Sequence, residues 1–233
     1  RVAVIPGDGI GPEVINEALR TIEAARDLFG FEISLEHFDW GADRYLSTGV
    51  SMPEGALEML AAEYDAILAG AFGDPRIPDN KHAADILLGM RSGLDLYINL
   101  RPIKLIDARL CPLKGRKAEE IDFVVFRENT EGLYVFMGGN FKKGTPDEIA
   151  IQEEVNTRRG VERIILAAFE YARRHGRKRV TMSDKSNVLT YGHDLWQRTF
   201  KSVAAGYPEI EAHHYYIDVL SMWMVLDPGR FDV

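Results

Sequence analysis

The chain is poor in several things. It holds a single cysteine, Cys111, so no intrachain disulfide framework can form, and a reducing cytoplasm is the expected setting. No apolar run approaches the roughly 20 residues a membrane span requires, and the chain opens on no signal-peptide pattern; no membrane partner is expected. Positive charge is in deficit: 28 Lys and Arg stand against 36 Asp and Glu, for a net charge of −8 and a pI near 5.3. Diffuse attraction to nucleic acid is thereby excluded, and any anion must be held by locally placed cations. Internal repeats and low-complexity tracts are absent. What remains is ordinary for a globular chain with a good core, 46% apolar and 27% charged over 233 residues, enough for one large domain or two ordinary ones.

The pattern alternates strand and helix. Residues 1–6 read as a short buried strand, ending in Gly7-Asp8-Gly9-Ile10-Gly11-Pro12-Glu13. A helix follows, with Pro12 and Glu13 suited to its first turn and Gly30 to its end. Val14, Ile15, Ala18, Leu19, Ile22, Ala25 and Phe29 recur at helical spacing and predict one buried face. Strands are expected at 31–37 and 65–70, with a helix over 53–64 between them and another over 81–91. Residues 96–101 alternate, and residues 121–126 form a nearly continuous apolar run suited to a strand covered on both faces. Residues 138–146 read as an exposed loop or projecting arm. Helices over 162–175, 188–204 (capped by Ser186 or Asn187) and 219–226, and strands at 179–182 and 213–217, complete the list. This order predicts an α/β fold, a mostly parallel sheet with flanking helices in two domains, 1–98 and 99–233. Phe231-Asp232-Val233 looks like the opening of one more buried strand, so the chain is expected to be a fragment truncated at its C-terminus.

Candidate chemistry clusters at element ends. Arg91 ends a helix, Arg101 a strand on its polar face, and Arg127 the buried run. Each alone reads as a solvated charge; together, in an acidic chain, they suit a substrate with more than one carboxylate, which guanidinium groups bind bidentately. Lys185, in Ser183-Asp184-Lys185-Ser186-Asn187, is either a turn lysine or a base whose charged form is disfavoured by nearby cations. Tyr134 is either a proton donor or an amphipathic core residue. His213-His214 looks like a metal pair, but adjacent strand residues face opposite ways, and the pair reads as structural. The glycine turn does not carry the Gly-x-Gly-x-x-Gly spacing, and Asp8 would set a carboxylate where a pyrophosphate belongs; a structural turn beside a crevice fits it better than a true Rossmann phosphate loop.

Four motifs in order resemble one family. They are Ile5-Pro6-Gly7-Asp8-Gly9-Ile10-Gly11-Pro12-Glu13, Leu96-Tyr97-Ile98-Asn99-Leu100-Arg101-Pro102, Arg127-Glu128-Asn129-Thr130-Glu131-Gly132-Leu133-Tyr134 and Asp184-Lys185-Ser186-Asn187. Together they are similar to the metal-dependent, β-decarboxylating dehydrogenases of isocitrate, 3-isopropylmalate, tartrate and D-malate. The resemblance implies an isopropylmalate-dehydrogenase-like fold. It also implies oxidation of a 2-hydroxy acid bearing a β-carboxylate by hydride transfer to NAD or NADP, with Mg2+ or Mn2+ and loss of the carboxylate. It implies that Arg91, Arg101 and Arg127 hold carboxylates, that Lys185 is the base on the hydroxyl, and that Tyr134 supplies the proton. Asp218 falls where the family supplies one metal ligand, and Ile10 beside a cofactor. In such enzymes that aspartate and lysine come from a neighbouring subunit, so a homodimer with a shared site is implied, with 138–146 at its contact.

The substrate is implied by the helix before Arg91. Leu87 and Leu88 offer an apolar wall that suits an isopropyl group, which points to 3-isopropylmalate and leucine biosynthesis. Ala84 stands where isopropylmalate enzymes often carry a carboxylate, which leaves tartrate, D-malate or an isocitrate-type substrate as alternatives. A non-catalytic regulatory subunit of the same fold is the further alternative, against which the retained lysine, tyrosine and arginines speak. The family's other two metal aspartates and its main adenosine loop follow the strand beginning at Phe231. The 233-residue chain is therefore expected to lack a complete metal and cofactor site and to be inactive by itself.

Overall fold

A computed structural model describes all residues, 1–233, as two compact units, Arg1–Leu96 and Tyr97–Val233. In the first unit, β1 (Val2–Gly7) lies between β2 (Leu35–His37) and β3 (Ala66–Ala71), parallel to both. Helix α1 (Gly11–Phe29) begins at the glycine turn, with Pro in its first turn, and stops where Gly30 turns left-handed and its N–H bonds Arg26 O. Gly11 and Gly70 are required by close approach: a Cβ on either would collide with Pro6 O. The remaining helices are α2 (Ala42–Thr48), α3 (Ala56–Glu63) and α4 (Lys81–Gly93). Ala3, Ile5, Trp40, Ala56, Leu60, Ile86 and Met90 form the core of this unit.

In the second unit, β4 (Ile98–Lys104) pairs antiparallel with β5 (Asp122–Glu128). Strands β6 (Gly138–Phe141) and β7 (Ile149–Gln152) form an exposed antiparallel hairpin. Helix α5 (Arg158–Arg174) is capped by Thr157, whose side chain accepts from Gly160 N. Its buried face (Val161, Ile164, Ile165, Ala168, Phe169, Ala172) meets Phe200 and Val203 of α6 (Gly192–Ala204) and Val180 and Met182 of β8 (Arg179–Asp184). Each large apolar side chain so buried is worth about 1.5–3 kcal/mol. Strand β8 pairs in parallel with β9 (Glu211–Tyr216), which runs directly into α7 (Ile217–Leu226).

Phe231 is buried, and the three residues it begins lie between β5 and β8. Val124 N donates to Asp232 O (3.0 Å), Thr181 N to Val233 O (2.8 Å), and Val233 N to Arg179 O (3.2 Å). The Asp232 carboxylate takes the backbone N–H groups of Lys178 and Arg179. This extended segment thus joins the β4–β5 and β8–β9 pairs by main-chain hydrogen bonds.

Several elements differ from the sequence reading. α2 is absent from it: seven residues are too short to show a helical period. The expected strand over 31–37 shrinks to Leu35–His37. The expected cap for residues 188–204 is not formed, because Ser186 turns back to bond Asp184 (N and Oγ to Oδ1, both 3.0 Å); the helix begins instead at Gly192. On α1 only Gly11 and Ile15 are buried, while Val14 and Phe29 are exposed. A 19-residue helix runs about 28 Å, against about 20 Å for a six-residue strand, so its ends overhang the narrow sheet. Arm residues 138–146 are exposed as expected, but begin in a regular hairpin strand.

Candidate active site

In the first unit the glycine turn closes on Asp8. Asp8, 8% exposed, accepts through its carboxylate from Ala42 N (2.6 Å), Gly73 N (3.0 Å) and His82 Nε2 (2.8 Å). A buried carboxylate needs such donors, and here three separate segments supply them. Gly41 is small for the same reason: its Cβ would lie 2.6 Å from Asp8 Oδ1. Asp8 is therefore a structural hub, in keeping with a turn that does not cradle a pyrophosphate. Ile10, the residue before α1, stands 62% exposed at the rim of this turn.

Helix α4 buries His82, Ala83, Ile86 and Met90. Leu87 is half-buried against the same core. Ala84, Leu88 and Arg91 recur at i, i+4 and i+7 and share a different stripe, each half-buried. Leu88 and Arg91 are thus set along one line of the helix, apolar then cationic, while Leu87 leans toward the interior.

In the second unit the β4–β5 register places Asn99 opposite Arg127 and Arg101 opposite Val125. Directly opposed residues share a face, as do alternate residues of one strand, so Arg101 and Arg127 are diagonal neighbours on one face. Arg101 Nε donates to Asn99 Oδ1 (2.8 Å), and Asn99 Nδ2 to Asn129 Oδ1 (3.2 Å). The Arg127 guanidinium lies 4.9 Å over the Tyr134 ring, in a short 3-10 turn (Leu133–Val135) after Gly132.

The carboxylates after Arg127 are consumed in shaping this exit. Glu128 accepts from Thr130 N (2.7 Å), Thr130 Oγ1 (2.7 Å), Glu131 N (2.6 Å) and Arg163 (3.1 Å). Glu131 takes Thr157 N (2.8 Å) at the start of α5, and Gly160 leaves it room.

At the end of β8, Lys185 Nζ is ion-paired with Asp218 in the first turn of α7. The lysine's hydrogen bond holds the Asp218 carboxyl below the usual carboxylate range. Next to it Asp184 is almost fully buried. Burial alone would raise its pKa, but the Ser186 N–H, His214 and the Ser186 hydroxyl outweigh it, and the group is lowered. His214 Nε2 lies 2.9 Å from Asp184 Oδ1, while His213 points elsewhere, to Glu211 at 3.4 Å. The two histidines thus do not converge.

Arg101 with Asn99, Arg127 with Tyr134, and Lys185 with Asp218 form three separate groups; no hydrogen bond or ion pair joins one to another. A cavity of about 530 Å³ lies between β5 and β8, touched by Arg127, Glu128, Asp184, His193 and Glu154 and otherwise largely apolar. No group of three or more His, Cys, Asp or Glu could hold a metal ion. Asp218 offers one carboxylate, already engaged by an ammonium, so the residues of this chain do not by themselves fit a metal. Sequence reasoning did not single out His193 and Glu154; neither sits in one of the four motifs, and their pairing bridges 39 residues.

The whole chain, residues 1–233, matches the isocitrate/isopropylmalate dehydrogenase family. It is 44% identical over its full length to a 3-isopropylmalate dehydrogenase of Thermobifida fusca (strain YX), of which it covers 66%. It is equally 44% identical to a D-malate dehydrogenase [decarboxylating] of Escherichia coli (strain K12), covering 65% of it. Among solved structures, an isocitrate dehydrogenase from Methylococcus capsulatus aligns with a TM-score of 0.81 at 32% identity, over 100% of this chain and 65% of that one. The chain belongs to the isocitrate/isopropylmalate dehydrogenase family. It spans about two thirds of the length of the curated relatives it matches. No helix is long and apolar enough to cross a membrane.

Proposed function

We propose that the protein is a cytoplasmic dehydrogenase that oxidatively decarboxylates a 2-hydroxy acid bearing a β-carboxylate, with 3-isopropylmalate as substrate. The observation that carries this reading is the pairing of two guanidinium groups on one face of β4–β5 with a phenol beside one of them. In this reading Arg101 and Arg127, with Arg91 of α4, hold the carboxylates; bidentate geometry fixes the substrate's orientation as well as its charge. Lys185 would take the hydroxyl proton, and Tyr134 would return a proton to the carbon from which CO2 departs; NAD or NADP, when bound, would supply the hydride acceptor. Asp218 is the single candidate ligand this chain supplies for a Mg2+ or Mn2+ ion.

The reading includes a homodimer. Two apolar surfaces support it: the hairpin with Phe141, Ile149 and Ile151, and α7 with Met222, Val225 and Leu226, all exposed. A second copy of the chain would cover them and could bring its Lys185–Asp218 pair to the Arg127–Tyr134 pair. Because residues 1–233 alone are expected to be inactive, steady-state assays with 3-isopropylmalate, D-malate and tartrate, following reduction of NAD and NADP, test the proposal in a polypeptide extended to the full length of the relatives. Turnover of isopropylmalate is expected; turnover of D-malate or tartrate alone would replace the substrate, and no reduction with any of them would overturn the activity.

A further inference from the structure

We infer that His193 is a positioning residue for Lys185, acting as the acceptor that fixes the lysine's main chain, with Glu154 holding the imidazole in the tautomer this requires. The inference rests on the proposed role of Lys185 as base. Lys185 N donates to His193 Nδ1 at 2.7 Å. A backbone N–H can only donate, so Nδ1 carries the lone pair and the ring proton sits on Nε2. That proton points at Glu154 Oε1, 3.0 Å away. The carboxylate thus selects the tautomer, as a carboxylate does when it orients a histidine from behind.

The surroundings close this arrangement into a loop. Asn156 Nδ2 donates to the same Glu154 oxygen (3.2 Å), and its own Oδ1 accepts the indole N–H of Trp196 (2.7 Å), three residues after His193 on α6. Gly192 is required there, since a Cβ would lie 2.6 Å from Asn156 Nδ2. On the other side of the lysine, Lys185 O accepts from Val188 N (3.0 Å) and Leu189 N (2.9 Å), and Leu189 O from His193 N (3.2 Å). The peptide groups on both sides of Lys185 are therefore held, one by an imidazole and one by two amides. The exit direction of the side chain is set by partners outside its motif. His193 and Glu154 are both mostly enclosed, with side chains 17% and 26% exposed, so water competes poorly for these bonds.

Two amide substitutions separate the two bonds. In His193→Asn the side-chain oxygen falls where Nδ1 was and can accept from Lys185 N, while the bond to Glu154 is lost. In His193→Gln the terminal amide nitrogen falls where Nε2 was and can reach Glu154, while the acceptor for Lys185 is lost. Misplacing a catalytic group by about 1 Å can cost about 100-fold. In a polypeptide extended to the full length of the relatives, His193→Gln is therefore expected to lower kcat about tenfold with KM nearly unchanged, and His193→Asn to restore most of it. In parallel, amide hydrogen exchange at Lys185 is expected to be slow in the parent and in His193→Asn, and fast in His193→Gln. Equal kcat and equal Lys185 protection in the two variants would overturn the proposal. Should His193→Gln fail to fold, Glu154→Ala serves: it frees the ring to flip and is expected to speed Lys185 exchange. Normal turnover in Lys185→Met would remove the lysine's role as base, a result distinguishable from the exchange measurement, which needs no turnover.

Discussion

Two strand ends in this molecule carry a buried aspartate, and they use it differently. At the end of β1, Asp8 gathers three donors from three segments and is itself buried. At the end of β8, Asp184 gathers Ser186 and His214, but the next residue, Lys185, leaves the cluster and reaches Asp218 on the surface. The first is a hub that fixes a turn. The second is a base plate beyond which Lys185 projects to Asp218. A polar residue beyond a strand is thus informative about function only once it is known which of its neighbours already satisfy it.

This contrast can be broken from either side. The largest effect is expected at the projecting lysine: Lys185→Met should lower kcat by about 10³-fold, in the range for loss of a general base, while the melting temperature stays close to the parent's. Retained turnover would make Lys185 another structural residue and erase the distinction. Next comes the hub. Asp8→Ala leaves Ala42 N, Gly73 N and the His82 imidazole unpaired in a buried place, with an expected loss of about 3 kcal/mol in denaturant unfolding. A change under about 0.5 kcal/mol, within the range of ordinary surface substitutions, would show that Asp8 holds nothing together.

The smallest effect is expected where the chain joins β5 to β8. Burial would raise the Asp232 pKa, but the Arg179 guanidinium and the Lys178 and Arg179 backbone N–H groups lower it below the ordinary value of 3.8. A carboxyl lowered on folding contributes stability that is complete above the ordinary value and lost as pH falls through the lowered one. Asp232→Asn should therefore cost about 1–2 kcal/mol at neutral pH and less in acid, so that the two unfolding curves converge below pH 3.8. Parallel curves down to low pH would exclude this carboxylate from the acid response.

The sequence made some of this legible and hid the rest for physical reasons. β1, α1, α4 and α5 have strong periodicity or clear end signals, Gly30 and Pro12 among them, and their expected spans are close to those observed. The Arg127, Tyr134 and Lys185 candidates are legible from their places at element ends, and Asp218 from the family resemblance. Their pairing is not: Arg127 meets Tyr134 because Gly132 turns the chain back, and Lys185 meets Asp218 only because β8 and β9 are parallel neighbours. The start of α6 was misread because Ser186 has two competing uses, helix cap and Asx-type turn, and Asp184 decided between them. His193 left no local mark at all. Its partners, Lys185 N and Glu154, lie eight and 39 residues away, and a backbone N–H has no sequence signature.

The segment from Phe231 to Val233 also has a consequence for the order of assembly. It bonds Val124 and Thr181, so the strand pair that precedes it by about a hundred residues acquires this neighbour only once residues 231–233 have been made. Contacts of such sequence separation form late, after loop closure has been met, and in synthesis they form only after β5 and β8 have emerged. Until then β5 and β8 present two facing unpaired edges lined by Val125, Phe126, Val180 and Met182. Such edges pair with any extended chain within reach. Until residues 231–233 emerge, the nascent protein therefore offers a slot that any other extended chain could fill in their place.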